Sequence, residues 1–151
     1  MSETQISRSG HILLIEDNPG DVRLISEALK EHGRGHDLTV AQDGLEALNY
    51  LFQRDPYAEA RRPDLILLDL NPPKKAGLEV LHEIKNDPRL KHIPVVIFTS
   101  SSAPVDISLA YGRNANCYIT KPADLDEYFR VMGLIESFWL TVAALPPQGG
   151  E

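Results

Sequence analysis

The residues able to do chemistry in this chain stand directly after short apolar runs. Ile12-Leu13-Leu14-Ile15 leads into Glu16-Asp17, Leu65-Ile66-Leu67-Leu68 into Asp69, Val95-Val96-Ile97-Phe98 into Thr99-Ser100, and the run from Cys117 to Thr120 into Lys121-Pro122. Carboxylates gathered at one edge repel one another unless a cation lies between them. Oxygen-only donors left open to water favour Mg²⁺ over a softer metal. Lys121 adds a positive point charge and Thr99 a hydroxyl donor. If the runs are neighbouring strands, the set describes a pocket in which metal, ammonium and hydroxyl hold a dianionic phosphoryl group. Taken singly, each residue has a plainer reading. Asp69 reads equally as a solvated helix cap, Glu16-Asp17 as helix N-terminal charge, and Thr99 as a β-branched strand end with Ser100 and Ser101 as substitutes. The weight lies in their joint arrival.

The elements that must position them follow from patterning. Three of the runs are continuously apolar and too short for helices, which suits strands buried on both faces of a parallel sheet. A weaker run spans Leu38 to Ala41. Between the runs lie helical patterns. The first opens at Asn18-Pro19, a capping side chain before a proline suited to the first helical position, with Asp21 in the acid-favouring first turn and Gly33 as a stop. The second follows Asp43-Gly44, the third runs from about Leu78 to Lys85, the fourth starts near Ser102-Ala103-Pro104, and the fifth spreads from near Asp124 to about Leu145. Alternating strands and helices with right-handed crossovers predict an α/β, doubly wound (βα)5 flavodoxin-like domain, its five-stranded parallel sheet in the order 2-1-3-4-5, with the site at the carboxyl ends of the strands.

Composition narrows the function class. A length of 151 residues suits one compact domain. The net charge of −7 argues against a nonspecific grip on nucleic-acid phosphates. No run approaches the roughly 20 apolar residues that span a bilayer, and the polar segment 1–9 lacks the core of a secretory signal. The single cysteine, Cys117, reads as buried packing in a reducing compartment, and the five histidines are scattered without metal-ligand spacing. A cytoplasmic domain over 10–145 is expected, between flexible segments at 1–9 and 146–151.

With these residues in view, the chain resembles the receiver domains of two-component response regulators. The resemblance rests on Glu16-Asp17-Asn18, on Asp69 within Leu67-Leu68-Asp69-Leu70-Asn71, on Thr99-Ser100, and on Tyr118-Ile119-Thr120-Lys121-Pro122. The Tyr57-to-Arg62 approach to the third strand, Asn116-Cys117-Tyr118 and Phe138-Trp139-Leu140 resemble single-domain regulators paired with bacterial phytochrome-type histidine kinases. The resemblance implies that Asp69 accepts a phosphoryl group from a kinase phosphohistidine. It also implies that Asp17 and Asp69 ligate Mg²⁺ directly, Glu16 through water and Asn71 through its backbone carbonyl. Lys121, Thr99 and Ser100 would hold the phosphoryl oxygens, Thr99 and Tyr118 would move as switch residues, and the bond before Pro122 would be cis. Pro72 and Ala76 depart from the family pattern; Pro72 removes a backbone donor, and Ala76 weakens the third helix cap.

The last helix carries two apolar stripes. Leu125, Tyr128, Met132, Ile135, Trp139 and Val142 form one, and Val131, Leu134, Phe138 and Leu145 another. One stripe covers a sheet, which leaves Val131, Leu134, Phe138, Trp139 and Leu145 as the surface for a homodimer or a downstream protein. The expected function is a stand-alone signalling receiver, not a turnover enzyme, without nucleic-acid or membrane partners. Two rivals stay open: a pseudo-receiver acting only as a binding module, and a Mg²⁺-dependent aspartate phosphatase. The second needs a carboxylate where Asn71 stands.

Overall fold

The structure, a computed structural model, describes residues 10–33, 35–71 and 75–147. Five parallel strands stand in the order β2-β1-β3-β4-β5, as the patterning predicts. They are β1 His11–Ile15, β2 Asp37–Ala41, β3 Leu65–Leu68, β4 Val95–Thr99 and β5 Cys117–Thr120. Every residue of β1, β3 and β4 is buried, while β2 and β5, at the edges, are only partly covered. Continuous apolar runs are therefore the central strands, and the weaker runs are the edges.

Because side chains alternate across a sheet, the strands feed two cores. Leu13, Ile15, Ile66, Leu68, Val95 and Ile97 point towards α2 (Gly44–Leu51), α3 (Gly77–Lys85) and α4 (Pro104–Gly112). Ile12, Leu14, Leu65, Leu67, Val96 and Phe98 point towards α1 (Pro19–His32) and α5 (Leu125–Ser137). Strand positions on both sides are thus committed to packing, and polar residues are left to the strand ends.

Helix starts are set by side-chain caps. Asn18 accepts from the Asp21 amide at 3.0 Å, Asp43 from that of Glu46 at 2.7 Å, and Asp124 from that of Glu127 at 2.9 Å. α3 begins at Ala76 with no side-chain cap, as its sequence predicts. What α3 has instead is proximity to the end of β3. A Cβ built on Gly77 would lie 2.5 Å from the Asp69 carbonyl oxygen, so only glycine lets the helix start this close. Pro72, the other departure from the family pattern, lies outside the described residues, as do 1–9 and 148–151.

The last helix ends earlier than its apolar pattern suggests. α5 passes at Phe138–Val142 into a wider π-helical turn, and Ala143 is extended, with ψ 142°. Proline disfavours the helical conformation in the residue before it, so Leu145-Pro146-Pro147 cannot continue a helix. These three residues return to the amino edge of the sheet, where with Pro63, Asp64 and Pro94 they line a cavity of about 480 Å³. Pro146 and Pro147 line this cavity but are themselves exposed. Midway along α5, Gly133 lets the helix lie against the His32 imidazole of α1, space that any side chain would occupy.

The expected partner surface is accordingly smaller than its sequence stripe. Val131 and Trp139 pack partly on the protein's own core, and Leu145 faces the cavity. Leu134 and Phe138 remain exposed at 55% and 51%, joined by Val142 at 70%. Burial on the home domain decides which members of the stripe are free.

Replacing Ala76 with serine supplies the missing cap acceptor and should stabilise the fold by about 0.5–1 kcal/mol. The urea midpoint should rise with the slope of the transition unchanged; an unaltered midpoint would show that the α3 amides are already satisfied.

Candidate functional site

The sheet itself places the polar residues. The Glu16 amide donates to the Ala41 carbonyl at 3.0 Å, the Asp69 amide to that of Ile15 at 3.1 Å, and the Lys121 amide to that of Thr99 at 2.7 Å. Each residue extends the ladder by one step, so its side chain leaves from a rigid edge. Glu16, Asp69 and Thr99 are all buried.

Lys121 gathers the carboxylates. Its Nζ donates to Glu16 Oε1 at 2.7 Å and to Asp21 Oδ2 at 3.0 Å, and lies 3.6 Å from Asp69 Oδ1. The second Asp69 oxygen accepts from the Asn71 amide at 3.0 Å, and the second Glu16 oxygen from the Asn18 amide at 3.2 Å. Burial pushes the Glu16 carboxyl above its ordinary pKa, the Lys121 bond opposes this, and the Asp69 charge adds to the rise. For Lys121, burial disfavours the ammonium, but its bonds to Glu16 and Asp21 outweigh that and hold it above its usual value. The amine is firmly charged, and it sits where an incoming anion on Asp69 would meet it.

Thr99 Oγ1 is buried with no hydrogen-bond partner. An unpaired buried hydroxyl costs about 1–3 kcal/mol, so this group is poised to donate to an oxygen arriving at the end of β4. Ser100 beside it is exposed, and Ser101 is engaged, donating to Asp106 Oδ2 at 2.5 Å. Tyr118 is half-buried and donates its hydroxyl to the Ser101 carbonyl at 2.8 Å, tying β5 to the loop that precedes α4. Burial raises the Tyr118 pKa, so the hydroxyl is a donor at neutral pH.

The structure thus brings Glu16, Asp69, Thr99 and Lys121 to one rim, with Asp17 and Asn71 exposed in the adjoining loops. The peptide bond before Pro122 is not cis, contrary to expectation; the cis bond among the described residues is Asp55–Pro56. Trans is the lower-energy form even before proline, and with it the Lys121 ammonium already reaches its carboxylates. Two neighbours of the rim escaped the patterning. Asp21 was legible only as a first-turn helix acid and Tyr128 only as a core residue, yet Tyr128 donates to Asp21 Oδ1 at 2.7 Å. Burial raises the Tyr128 pKa, and the Asp21 bond raises it further.

Among the described residues, no three acid, histidine or cysteine side chains already converge as a metal cage. An ammonium bridges Glu16 and Asp69 instead. The donors at this rim are nevertheless all oxygen, and their carboxylates are already engaged with a cation, so in chemistry they fit a hard divalent ion.

Comparison with known proteins agrees with this geometry. Residues 12–132 match the response regulator receiver domain family. Response regulator Rcp1 of Synechocystis sp. is 48% identical over 135 residues, covering 89% of this chain and 92% of that protein. The crystal structure of the phosphorylated cyanobacterial phytochrome response regulator RcpA superposes with a TM-score of 0.90 at 51% identity, over 93% of this chain and 100% of that one. The Mn²⁺-bound form of Rcp1 superposes with a TM-score of 0.87 at 47% identity, over 91% and 99% respectively. By the family match and the strand order together, the chain belongs to the response regulator receiver family of two-component signalling.

Proposed function

We propose that this receiver is phosphorylated on Asp69 by a histidine kinase and signals through the surface of its last helix. The observation that carries this reading is the Lys121 ammonium, 3.6 Å from Asp69 Oδ1 and held by Glu16 and Asp21. A carboxylate oxygen of Asp69 attacks the phosphorus of a phosphohistidine. The new P–O bond forms as the P–N bond breaks, and the imidazole nitrogen keeps the electron pair. Lys121 Nζ and Thr99 Oγ1 then hold the transferred oxygens, with Ser100 available beside them, and both donors are preorganised at the rim.

A divalent cation, Mg²⁺ by its preference for oxygen donors, would be held by Asp17 and Asp69, by Glu16 through water and by the Asn71 carbonyl; when bound it supplies charge neutralisation for the transfer. The chemistry stops at phosphoryl acceptance and slow hydrolysis of the acyl phosphate. Asn71, standing where an aspartate phosphatase would need its acid, offers no proton for turnover. The assembled Glu16, Asp69 and Lys121 set equally disfavours a purely structural pseudo-receiver.

The similarity to the phytochrome regulator RcpA supports a phytochrome-type histidine kinase as donor. A cytoplasmic setting follows from such a partner. No helix among the described residues is long and apolar enough to cross a membrane, and the charge of −7 leaves nucleic acid an unfavoured ligand. Leu134, Phe138 and Val142, exposed along one side of α5 and its terminal turn, are the surface for a second copy of the chain. After phosphorylation this surface and β5, with Tyr118, present the signal to a downstream protein.

Incubation with Mg²⁺ and a small acyl phosphate should add one phosphoryl mass to the wild type and none to Asp69→Asn. Lys121→Ala should slow labelling by about 100-fold or more, and chelation of the metal should do likewise. An unlabelled wild type, alongside a receiver that labels, would refute the assignment. Light scattering at micromolar protein should give a dimer mass, and Phe138→Asp should return it to the monomer. A monomer with and without phosphorylation would remove the α5 surface from the account.

A further inference from the structure

Asp21 touches no phosphoryl oxygen in the chemistry described above, yet both of its carboxylate oxygens are engaged. One oxygen accepts from Lys121 Nζ at 3.0 Å and the other from the Tyr128 hydroxyl at 2.7 Å. Lys121 and Asp21 are largely enclosed, with side chains 10% and 22% exposed, and Tyr128 is buried. Tyr128 lies on the first turn of α5, edge-on to Phe98 of β4 with ring centroids 5.3 Å apart. A single carboxylate therefore joins the Lys121 ammonium, which faces Asp69, to the helix that carries the exposed apolar surface.

We infer that Asp21 and Tyr128 are positioning residues that couple the charge state of Asp69 to α5. The inference rests on Asp69 being the phosphoacceptor. In the resting molecule the ammonium is bonded to Glu16 and Asp21 and stands further from Asp69. A dianionic phosphoryl group on Asp69 draws that ammonium to itself by simple Coulomb attraction. Asp21 then loses its counter-charge and faces a new dianion. It retreats from the rim, and the Tyr128 hydroxyl, its remaining partner, follows it.

The consequence is directed along the helix. Tyr128, Met132, Ile135 and Trp139 recur at helical spacing and pack on the same core, so a displaced Tyr128 acts on one continuous row. That row ends at Trp139, in the π-helical turn, against the ring of Phe138 at a centroid distance of 5.2 Å. This route is separate from the Thr99 and Tyr118 pair on the other side of the rim, because it runs through α1 and α5.

Trp139 is the chain's one tryptophan, so its emission reads the far end of the row without any label. The test follows emission and intact mass together during phosphorylation by a small acyl phosphate with Mg²⁺. In the wild type, the change in Trp139 emission should track the phosphorylated fraction. Tyr128→Phe keeps the ring on Phe98, so labelling should stay within about twofold of wild type, while the emission change per phosphorylated molecule falls by about half or more. Asp21→Asn keeps an oxygen for the Tyr128 hydroxyl but removes the charge that binds Lys121. It should lose the emission change as well, which a merely structural Asp21–Tyr128 bond would not produce. A labelled wild type with a silent Trp139, or either variant with a full response, overturns the coupling. Absence of label overturns the phosphoacceptor reading with it, and the mass measurement tells the two failures apart.

Discussion

The rim depends on one ammonium shared among three carboxylates. Without Lys121, Glu16, Asp21 and Asp69 would face one another in a partly buried edge, where like charges are poorly screened. With it, three strand or helix ends are drawn to a common centre. Much of the surrounding architecture serves that meeting. The ladder fixes the backbones of Glu16, Asp69 and Lys121, the Asn18 cap turns α1 so that Asp21 arrives one turn later, and Gly77 lets α3 begin directly against the acceptor strand. Among the described residues, one positive charge at the rim answers three negative ones. A site of that kind responds to any further anion by redistributing its cation.

How much of this is visible before the structure depends on the kind of signal each residue emits. The strands announce themselves because a strand covered on both faces must be apolar throughout, as Leu65 to Leu68 are. The helix starts are equally legible where Asn18, Asp43 and Asp124 carry their own capping oxygens. Glu16, Asp69, Thr99 and Lys121 stand out because polar residues ending apolar strands have one edge to share. Asp21 and Tyr128 give no such cue. An acid in a first helical turn satisfies the helix dipole whatever else it does, and a tyrosine at apolar spacing looks like packing. Their bond joins residues 107 positions apart, and periodicity carries no information about where a hydroxyl points. α5 ends before its apolar pattern for a related reason. Apolar spacing continues to Leu145, but the two prolines that follow change the backbone before the pattern stops.

The two cores give the rim two audiences. On one face lie α2, α3 and α4, reached through the Thr99 hydroxyl and the bond from Tyr118 to Ser101. On the other lie α1 and α5, reached through Asp21 and Tyr128. On the proposed phosphorylation, a change at Asp69 would reach both sides of the sheet through different chemistry: a buried hydroxyl gaining a partner on one, and an acid losing its counter-ion on the other.

The course of α5 limits what its response can be. Its first turn is tied to the carboxyl edge through Tyr128, and the extended chain after it passes the amino edge, where Leu145, Pro146 and Pro147 line the cavity. Between these ends Gly133 rests on the His32 ring of α1. A helix tied at its first turn and seated at mid-length on a neighbour resists sliding along its axis. The motions left to it are a roll or a tilt, with Gly133 as the fulcrum. A small pull at Tyr128 would then emerge at Phe138 and Val142 as a sideways swing, the direction that makes or breaks a flat contact with a neighbour.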